Sequence, residues 1–227
     1  MDVVRLSLSV LSPMKISDAF SVPIAEFSLE SPADFWTELI DLLLAQEGQG
    51  EKFGKAGQHG NGLIFESHSD LFNQEDPLLR QIAAFCHVAL ASVIRHLTDH
   101  TDAEFEELAF DYQAWYQITR TDGFQGFHNQ PNGSWAGLFF IDPGDAVPGR
   151  PDSGIVYFHD PRSNGNYYED AGNARLKPAN RHGALRVKHE NGKLTIFPSY
   201  LLHEIFPYFG EKPRIIAPFN CWIRMAD

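Results

Sequence analysis

The sequence has few cysteines, little positive charge and no long apolar run, and each shortage excludes a class of protein. Two cysteines, Cys86 and Cys221, are too few for a disulfide scaffold or a cysteine-based metal site in 227 residues. A formal net charge of −12, without clustered Lys or Arg, argues against a nucleic-acid partner and against an anionic membrane surface. No apolar run approaches the roughly 18 residues of a membrane span, and no basic-then-apolar export segment is visible. We therefore expect a cytoplasmic protein with reduced thiols that binds neither nucleic acid nor membrane.

The first part of the chain carries mainly helical patterns. Ser31-Pro32 predicts a helix start with Ser31 as N-cap, and apolar residues recur at helical spacing from Phe35 to Leu43. Asp76-Pro77 predicts the start of a second, broader apolar helix. A β-like run covers Val3 to Val10. These patterns predict a helical support region over residues 1–107.

From Leu108 onward the apolar residues alternate, which is the period of β-strands. The predicted strands are Leu108 to Ile118, Trp135 to Ile141, Ile155 to Asp160, Ala184 to His189, Lys193 to Phe197, Leu202 to Phe206 and Arg214 to Arg224. Helices followed by many strands predict an α+β chain, mainly β, whose residues 108–227 close as a double-stranded β-helix, the jelly roll of cupin-like proteins. We expect one domain over residues 1–227.

Two details of strand pairing also follow from the sequence. Glu190-Asn191-Gly192 predicts a type I′ hairpin turn between the strands on either side of it. The last strand, Ile215 to Ile223, is a candidate sheet edge. An edge strand leaves a homodimer open as one oligomeric state.

One histidine and one arginine lie among apolar, strand-forming residues near the C-terminus, where both types are rare. His203 and Arg214 are eleven residues apart, which fits a strand, a turn and a return strand with both side chains facing one cavity. Two cationic groups buried side by side would cost several kcal/mol. A metal ion on His203 and a carboxylate ligand on Arg214 would remove that conflict.

A second histidine, His128, has a similar setting just before the predicted strand at Trp135. Residues two apart on an extended strand point the same way, so His128 and Gln130 can face one point. With His203 the set reads His-x-Gln…His.

These residues belong to a longer pattern: His128-Asn129-Gln130-Pro131, Trp135 to Phe140, Asp160-Pro161-Arg162, Phe197 to His203, and Arg214-Ile215-Ile216 with Phe219-Asn220. The pattern resembles the 2-oxoglutarate/Fe(II)-dependent oxygenases, and most closely a bacterial and phage family related to the prolyl hydroxylases. The resemblance covers about residues 108 to 224. FPSYLLH followed by RII…FN is its most specific part.

The resemblance implies an oxidoreductase, a dioxygenase that uses Fe(II) and 2-oxoglutarate to hydroxylate a small molecule or a peptide. It makes His128 and His203 the catalytic metal ligands, with Gln130 as the third ligand. Arg214 becomes the bidentate partner of the distal carboxylate of 2-oxoglutarate.

Gln130 departs from that family pattern, because the relatives carry an acid or a histidine there. A neutral amide is a weaker Fe(II) ligand than a carboxylate, which leaves two alternatives. Either the metal has a free coordination position, or an acidic ligand comes from elsewhere, namely Asp142 or Asp160. Asp160-Pro161-Arg162 equally fits a turn held by an Asp–Arg pair.

Phe140 is a second departure, because prolyl-hydroxylase relatives have a tyrosine there whose hydroxyl helps hold 2-oxoglutarate. Tyr116 or Ser199 is expected to replace that hydroxyl. Asn220 either closes the pocket floor near Arg214 or bonds a neighbouring strand.

The amide at Gln130 also keeps a second hypothesis open. In it the chain is a catalytically inactive jelly-roll or cupin-like module that binds a small anion or a partner protein through the same pocket. A third reading, a cupin-like enzyme with another metal and no oxo-acid, leaves Arg214 unexplained.

Overall fold

The computed structural model describes residues 20–56, 62–131, 133–162, 170–177 and 180–226. Within these ranges the helices are α1 (Ala33–Glu47), α2 (Pro77–Leu97) and α3 (Asp102–Glu106). The strands are β1 (Ala25–Ser28), β2 (Gly54–Ala56), β3 (Ile64–Ser67), β4 (Leu108–Ala114), β5 (Gln117–Thr119), β6 (Gln125–His128), β7 (Trp135–Asp142), β8 (Val156–Phe158), β9 (Leu185–Val187), β10 (Lys193–Pro198), β11 (His203–Ile205) and β12 (Arg214–Met225). The β-like run predicted at Val3 to Val10 lies outside the described residues.

The strands form two antiparallel sheets that face each other. The larger sheet has the order β1-β10-β7-β12-β5-β3-β2, with β4 also paired to β12, and the smaller sheet has the order β6-β11-β8-β9. Buried side chains of both sheets meet in one layer, where Leu138, Phe140 and Ile216 of the larger sheet join Val156 and Ile205 of the smaller. We call this layer the inner layer. The arrangement confirms the predicted α+β class, mainly β, with a jelly-roll core.

The helices α1 and α2 cover the outer face of the larger sheet. Strand alternation sends Ile215, Ala217 and Phe219 of β12 towards the helices and Ile216 towards the smaller sheet. Arg214 is two residues before Ile216 and therefore faces the inner layer. This alternation decides which polar residues reach the site described below.

The first helix begins one residue later than predicted. Pro32 is the N-cap of α1, and its extended ψ of 155° places the helix start at Ala33. The Ser31 hydroxyl accepts a hydrogen bond from Gln81 Nε2 at 3.4 Å and does not cap the helix. The capping role predicted for Ser31 is therefore wrong.

The second helix begins as predicted, because the Asp76 side chain accepts the Leu78 N–H at 2.8 Å. By length and composition α2 could cross a membrane, a test that the core helix of a soluble protein also meets. One face of α2 packs in the outer core through residues at helical spacing: Leu79, Ile82, Cys86, Ala89, Leu90, Val93 and Ile94.

The turn at Asn191 and Gly192 does not close a hairpin. The preceding strand, β9, pairs with β8 in the smaller sheet, whereas the following strand, β10, pairs with β7 and β1 in the larger sheet. Of the two turn residues only Gly192 has a positive φ, +77°, whereas a type I′ turn needs two. The chain crosses between the sheets here, and His189 lies just before the crossing.

Two further expectations about strands are wrong. The last strand is central, with β7 on one side and β4 and β5 on the other, so β12 offers no free edge for the homodimer considered above. The helical support region over residues 1–107 also contributes β1, β2 and β3 to the larger sheet. Residue 108 is therefore not the start of the sheet.

Candidate metal and cosubstrate site

Two histidines lie side by side on paired strands of the smaller sheet. The register of β11 and β6 places His203 opposite His128, and the ring centroids are 4.3 Å apart. Phe197 and Phe158 of the inner layer flank the His203 ring at centroid distances of 5.1 and 5.5 Å. The structure thus brings together the two histidines that the sequence pattern pairs.

In each histidine, Nδ1 is bonded to the backbone carbonyl two residues earlier. His128 Nδ1 donates to the Gly126 carbonyl at 2.6 Å, and His203 Nδ1 donates to the Leu201 carbonyl at 2.9 Å. A neutral imidazole has a single N–H, so each Nε2 carries the lone pair that a metal ligand requires. Burial, and then the neighbouring His128, lower the pKa of His203 to about 4. His203 is therefore neutral at physiological pH, which is the ligand form.

Gln130 lies two residues beyond His128 and is 7% exposed. Its backbone N–H donates to the Ser199 carbonyl at 3.0 Å, which ties it to the segment that leads into His203. Its Oε1 is buried and has no hydrogen-bond partner among the described residues. An unsatisfied buried acceptor costs about 1–3 kcal/mol, and a bound cation would offset that cost. The residues present therefore fit a metal held by two imidazole nitrogens and one amide oxygen.

The two aspartates considered as alternative ligands are engaged elsewhere. Asp160 accepts hydrogen bonds from Arg162 Nε at 2.8 Å and Nη2 at 2.7 Å, and this pairing lowers the pKa of Asp160. The turn held by an Asp–Arg pair is thus present. Asp142 accepts the Gly144 N–H at 2.8 Å. Within the described residues, no group of three His, Cys, Asp or Glu side chains is placed to hold a metal.

Arg214 faces the inner layer from the first residue of β12 and is 1% exposed. Burial lowers the pKa of its guanidinium to about 9, so the group is still charged at neutral pH. Its Nε donates to His189 Nδ1, and its Nη2 is buried without a partner in the part of the chain that the structure describes. A buried cation without a counter-charge is costly, so this position fits a bound anion.

One short stretch of chain, residues 154–158, contacts both the histidine pair and Arg214. Phe158 pairs with His203, and Gly154, four residues earlier, packs against the Arg214 side chain, where a Cβ would come within 3.1 Å. Four residues of extended chain span at most about 13 Å. The histidine end and the guanidinium therefore lie no more than about 13 Å apart along this stretch.

Tyr116 does not serve this site. It is buried in the outer core, and its hydroxyl donates to the Leu43 carbonyl of α1 at 3.4 Å. The strand predicted from Leu108 to Ile118 is interrupted between β4 and β5, where Trp115 N–H donates to the Pro218 carbonyl at 3.1 Å. The proposal that Tyr116 replaces the missing phenol is therefore wrong.

Ser199 and Asn220 lie away from Arg214, towards the histidine end. The Ser199 hydroxyl donates to the Gly133 carbonyl, and its own carbonyl positions Gln130. Asn220 is six residues along β12 from Arg214, about 20 Å of strand. The expectation that Ser199 supplies the missing hydroxyl beside Arg214 is therefore wrong, and so is the first of the two alternatives for Asn220, a place on the pocket floor near Arg214. The Oδ1 atom of Asn220 is buried without a partner among the described residues.

His189 is the residue that the sequence analysis missed. Burial, and then the charge of Arg214, lower its pKa well below the usual range, so its ring is neutral. The ring packs edge-on against Phe140 with centroids 4.2 Å apart. The available signal was the two-residue spacing from Val187, which is buried in the inner layer. The predicted hairpin hid this signal because it placed the following strand in the same sheet.

A cavity of about 400 Å³ opens beside the histidine end. Phe158 and Leu201, which both contact His203, form part of its wall. Its rim carries the ion-paired Asp160 and Arg162 together with Arg181.

Comparison with known proteins supports the oxygenase interpretation of the site. Residues 113–220 match the model of a family described as "Putative 2OG-Fe(II) oxygenase". This segment is therefore similar to the 2OG-Fe(II) oxygenases. It contains both histidines of the pair, Gln130 and Arg214. No curated protein matches the sequence at a significant level.

Solved structures support the same assignment of the fold. A prolyl-4-hydroxylase from Pseudomonas putida superposes with a TM-score of 0.60 at 13% identity, over 90% of this chain and 93% of that one. A prolyl hydroxylase from Trichoplax adhaerens, in complex with a peptide fragment of hypoxia inducible factor, superposes with a TM-score of 0.54 at 11% identity. The match covers 86% of this chain and 81% of that one. HygX from Streptomyces hygroscopicus, with nickel, 2-oxoglutarate and hygromycin B bound, superposes with a TM-score of 0.55 at 12% identity. The match covers 88% of this chain and 82% of that one.

The family match and these structures confirm the resemblance stated above. The matched family is one of Fe(II)- and 2-oxoglutarate-dependent oxygenases, and the solved structures show that the chain has the fold of the prolyl-hydroxylase-type enzymes.

Proposed function

We propose that the protein is an active Fe(II)- and 2-oxoglutarate-dependent hydroxylase. In this proposal His128, His203 and Gln130 hold the metal and Arg214 binds the distal carboxylate of 2-oxoglutarate. The observation that carries it is a pair of buried polar groups without partners among the described residues: the amide oxygen of Gln130, beside the histidines, and the guanidinium Nη2 of Arg214.

When bound, Fe(II) with 2-oxoglutarate supplies an oxidative decarboxylation coupled to hydroxylation of a substrate C–H bond. The two imidazoles present Nε2 lone pairs because their Nδ1 protons are held by backbone carbonyls. Phe158 and Phe197 exclude water from the His203 side of the site. Arg214 orients the cosubstrate by its charge and by its unpartnered Nη2 donor.

The substrate is proposed to enter through the 400 Å³ cavity, whose wall includes neighbours of His203. The solved relatives include complexes with a peptide and with an aminoglycoside-sized small molecule, hygromycin B. Because Asp160 is paired with Arg162, Arg181 is the rim residue whose charge has no ion-pair partner among the described residues. This favours a substrate with an acidic or strongly hydrogen-bond-accepting group, in a chain whose net charge is otherwise −12.

The test is an anaerobic titration of metal-free protein with Fe(II) and then 2-oxoglutarate, followed through the weak visible charge-transfer band of a chelated oxo-acid. Its appearance, with succinate formed only when both iron and 2-oxoglutarate are present, would support the hydroxylase. Its absence from folded protein would favour the inactive binding module, for which the amide ligand Gln130 is the specific argument.

Variants assign the residues. His203→Ala is expected to abolish iron binding, whereas Arg214→Ala is expected to weaken 2-oxoglutarate binding and leave iron in place. Full iron affinity in His203→Ala would contradict the metal assignment. We also propose that the protein works in a reducing compartment, the cytoplasm, because Cys86 and Cys221 are both buried free thiols.

A further inference from the structure

We propose that His189 is a second cosubstrate-binding residue, whose Nε2–H and the Arg214 guanidinium together grip the distal carboxylate of 2-oxoglutarate. This inference rests on the proposed function and extends it to a residue outside the oxygenase sequence pattern.

The hydrogen bond between the two side chains fixes the position of the proton on His189. Arginine has donors only, so His189 Nδ1 must be the acceptor of the Arg214 Nε–H. A neutral imidazole then carries its single proton on Nε2. A doubly protonated ring would lose this bond and place a second positive charge against Arg214. His189 is therefore a neutral donor that points away from Arg214 Nε.

The Nε2–H donor of His189 has no acceptor within the described residues. His189 as a residue is partly exposed, but its Nε2 atom is shielded from solvent and has no hydrogen-bond partner there. Arg214 Nη2 is in the same condition. The two side chains are hydrogen-bonded to each other, and together they offer two unused donors and one positive charge. A carboxylate matches both, because it has two acceptor oxygens and one negative charge. A water molecule would satisfy the donors but would leave the charge unpaired.

Two aromatic neighbours of the pair offer the carboxylate no competing donor. Phe140, whose ring packs against His189 at 4.2 Å, has no polar side-chain atom. Tyr208 is also near Arg214, but its hydroxyl donates to the Lys212 carbonyl and accepts the Asp145 N–H, both at 2.7 Å. The Tyr116 hydroxyl faces the helices. His189 is therefore the residue that would make the site selective for a distal carboxylate, together with Arg214.

The test compares two oxo-acids on nickel-loaded protein by calorimetry. 2-Oxoglutarate and 2-oxopentanoate share the chelating end and the five-carbon chain, but the second has no distal carboxylate. His189→Asn keeps an acceptor near the Nδ1 position and removes the distal donor, whereas His189→Gln keeps an N–H near the Nε2 position. His96→Asn, at an exposed position on α2, is the matched control.

We expect His189→Asn to weaken 2-oxoglutarate binding about 10- to 100-fold and to change 2-oxopentanoate binding by less than about twofold. His189→Gln should recover most of the loss, and His96→Asn should equal the wild type. Unchanged 2-oxoglutarate affinity in His189→Asn, or an equal loss for both oxo-acids, would overturn the inference. No binding of 2-oxoglutarate to the nickel-loaded wild type would instead refute the proposed function, before any variant is compared.

Nitrogen-15 NMR of histidine-labelled, zinc-loaded wild type gives a readout that needs no variant at the site. The His189 signals should report a neutral ring protonated at Nε2, with an Nε2 proton that 2-oxoglutarate protects from solvent exchange and 2-oxopentanoate does not. A ring protonated at Nδ1, or equal protection by both oxo-acids, would overturn the inference even if His189→Asn fails to fold.

Discussion

Replacing Gln130 by methionine should make the metal-free protein more stable and lower its affinity for the metal. The side chain is 7% exposed and its Oε1 lacks a partner within the described residues, so the metal-free fold carries a penalty of about 1–3 kcal/mol. Methionine has a similar shape and no such acceptor. Because the Gln130 bond to Ser199 uses the backbone, the substitution leaves that link in place. We expect the melting temperature of metal-free protein to rise by about 2–12 °C, and metal affinity to fall at least about 10-fold.

Gln130→Glu should act in the opposite direction on both quantities. A divalent ion and a carboxylate attract by about 8 kcal/mol at about 4 Å with an effective dielectric of about 20. The cost of removing the carboxylate from water offsets several kcal/mol of this attraction. The net gain of about 1–3 kcal/mol would tighten metal binding about 10- to 100-fold, while the metal-free protein loses stability because the new charge is buried.

Calorimetric titration with nickel and scanning calorimetry of the metal-free protein measure the two quantities. Gln117→Met is the matched control, because Gln117 is also buried but its amide donates to Glu66 at 3.0 Å. That control should lose about 1 kcal/mol of stability and leave metal affinity unchanged. Metal affinity in Gln130→Met that equals the wild type would refute the reasoning, since the amide oxygen would then not be a ligand.

Three further outcomes follow from the buried groups. Arg214→Met should abolish most 2-oxoglutarate binding with nickel affinity intact, and stabilise the metal-free fold by about 1–4 kcal/mol because an unpaired buried charge is removed; a destabilised metal-free variant would show that the charge is compensated. The pKa values of His189 and His203 lie below the ordinary 6.5, so the unfolded chain binds more protons. Metal-free stability should therefore fall as the pH drops below about 6.5, by up to about 1.4 kcal/mol per unit for each histidine, in denaturant titrations at several pH values. Tyr116→Phe should change 2-oxoglutarate affinity less than about twofold and cost at most about 1 kcal/mol of stability, since its bond to Leu43 is 3.4 Å long.

The sequence by itself determined the chemistry of the histidine end. His128, Gln130 and His203 are recognisable because local strand geometry makes residues two apart face one way, and because histidine is rare among strand-forming apolar residues. The same reasoning found Arg214, whose burial in a strand interior demands a counter-charge. The helix starts and most strand bounds likewise depend on short-range patterns.

Tertiary structure decided what lies beside Arg214. After Val187 the chain could turn back within the same sheet or cross to the other sheet, and strand pairing decides between the two. Pairing depends on residues far apart in sequence, so the local Asn-Gly pattern predicted the wrong outcome. The crossing puts His189 against Arg214. Tyr116 faces the helices together with Ala114 and Ile118, because this whole alternating face of the chain packs on the helix side of the sheet. Both results depend on which face of a sheet a residue occupies, and strand alternation by itself does not say which face meets the helices and which meets the other sheet.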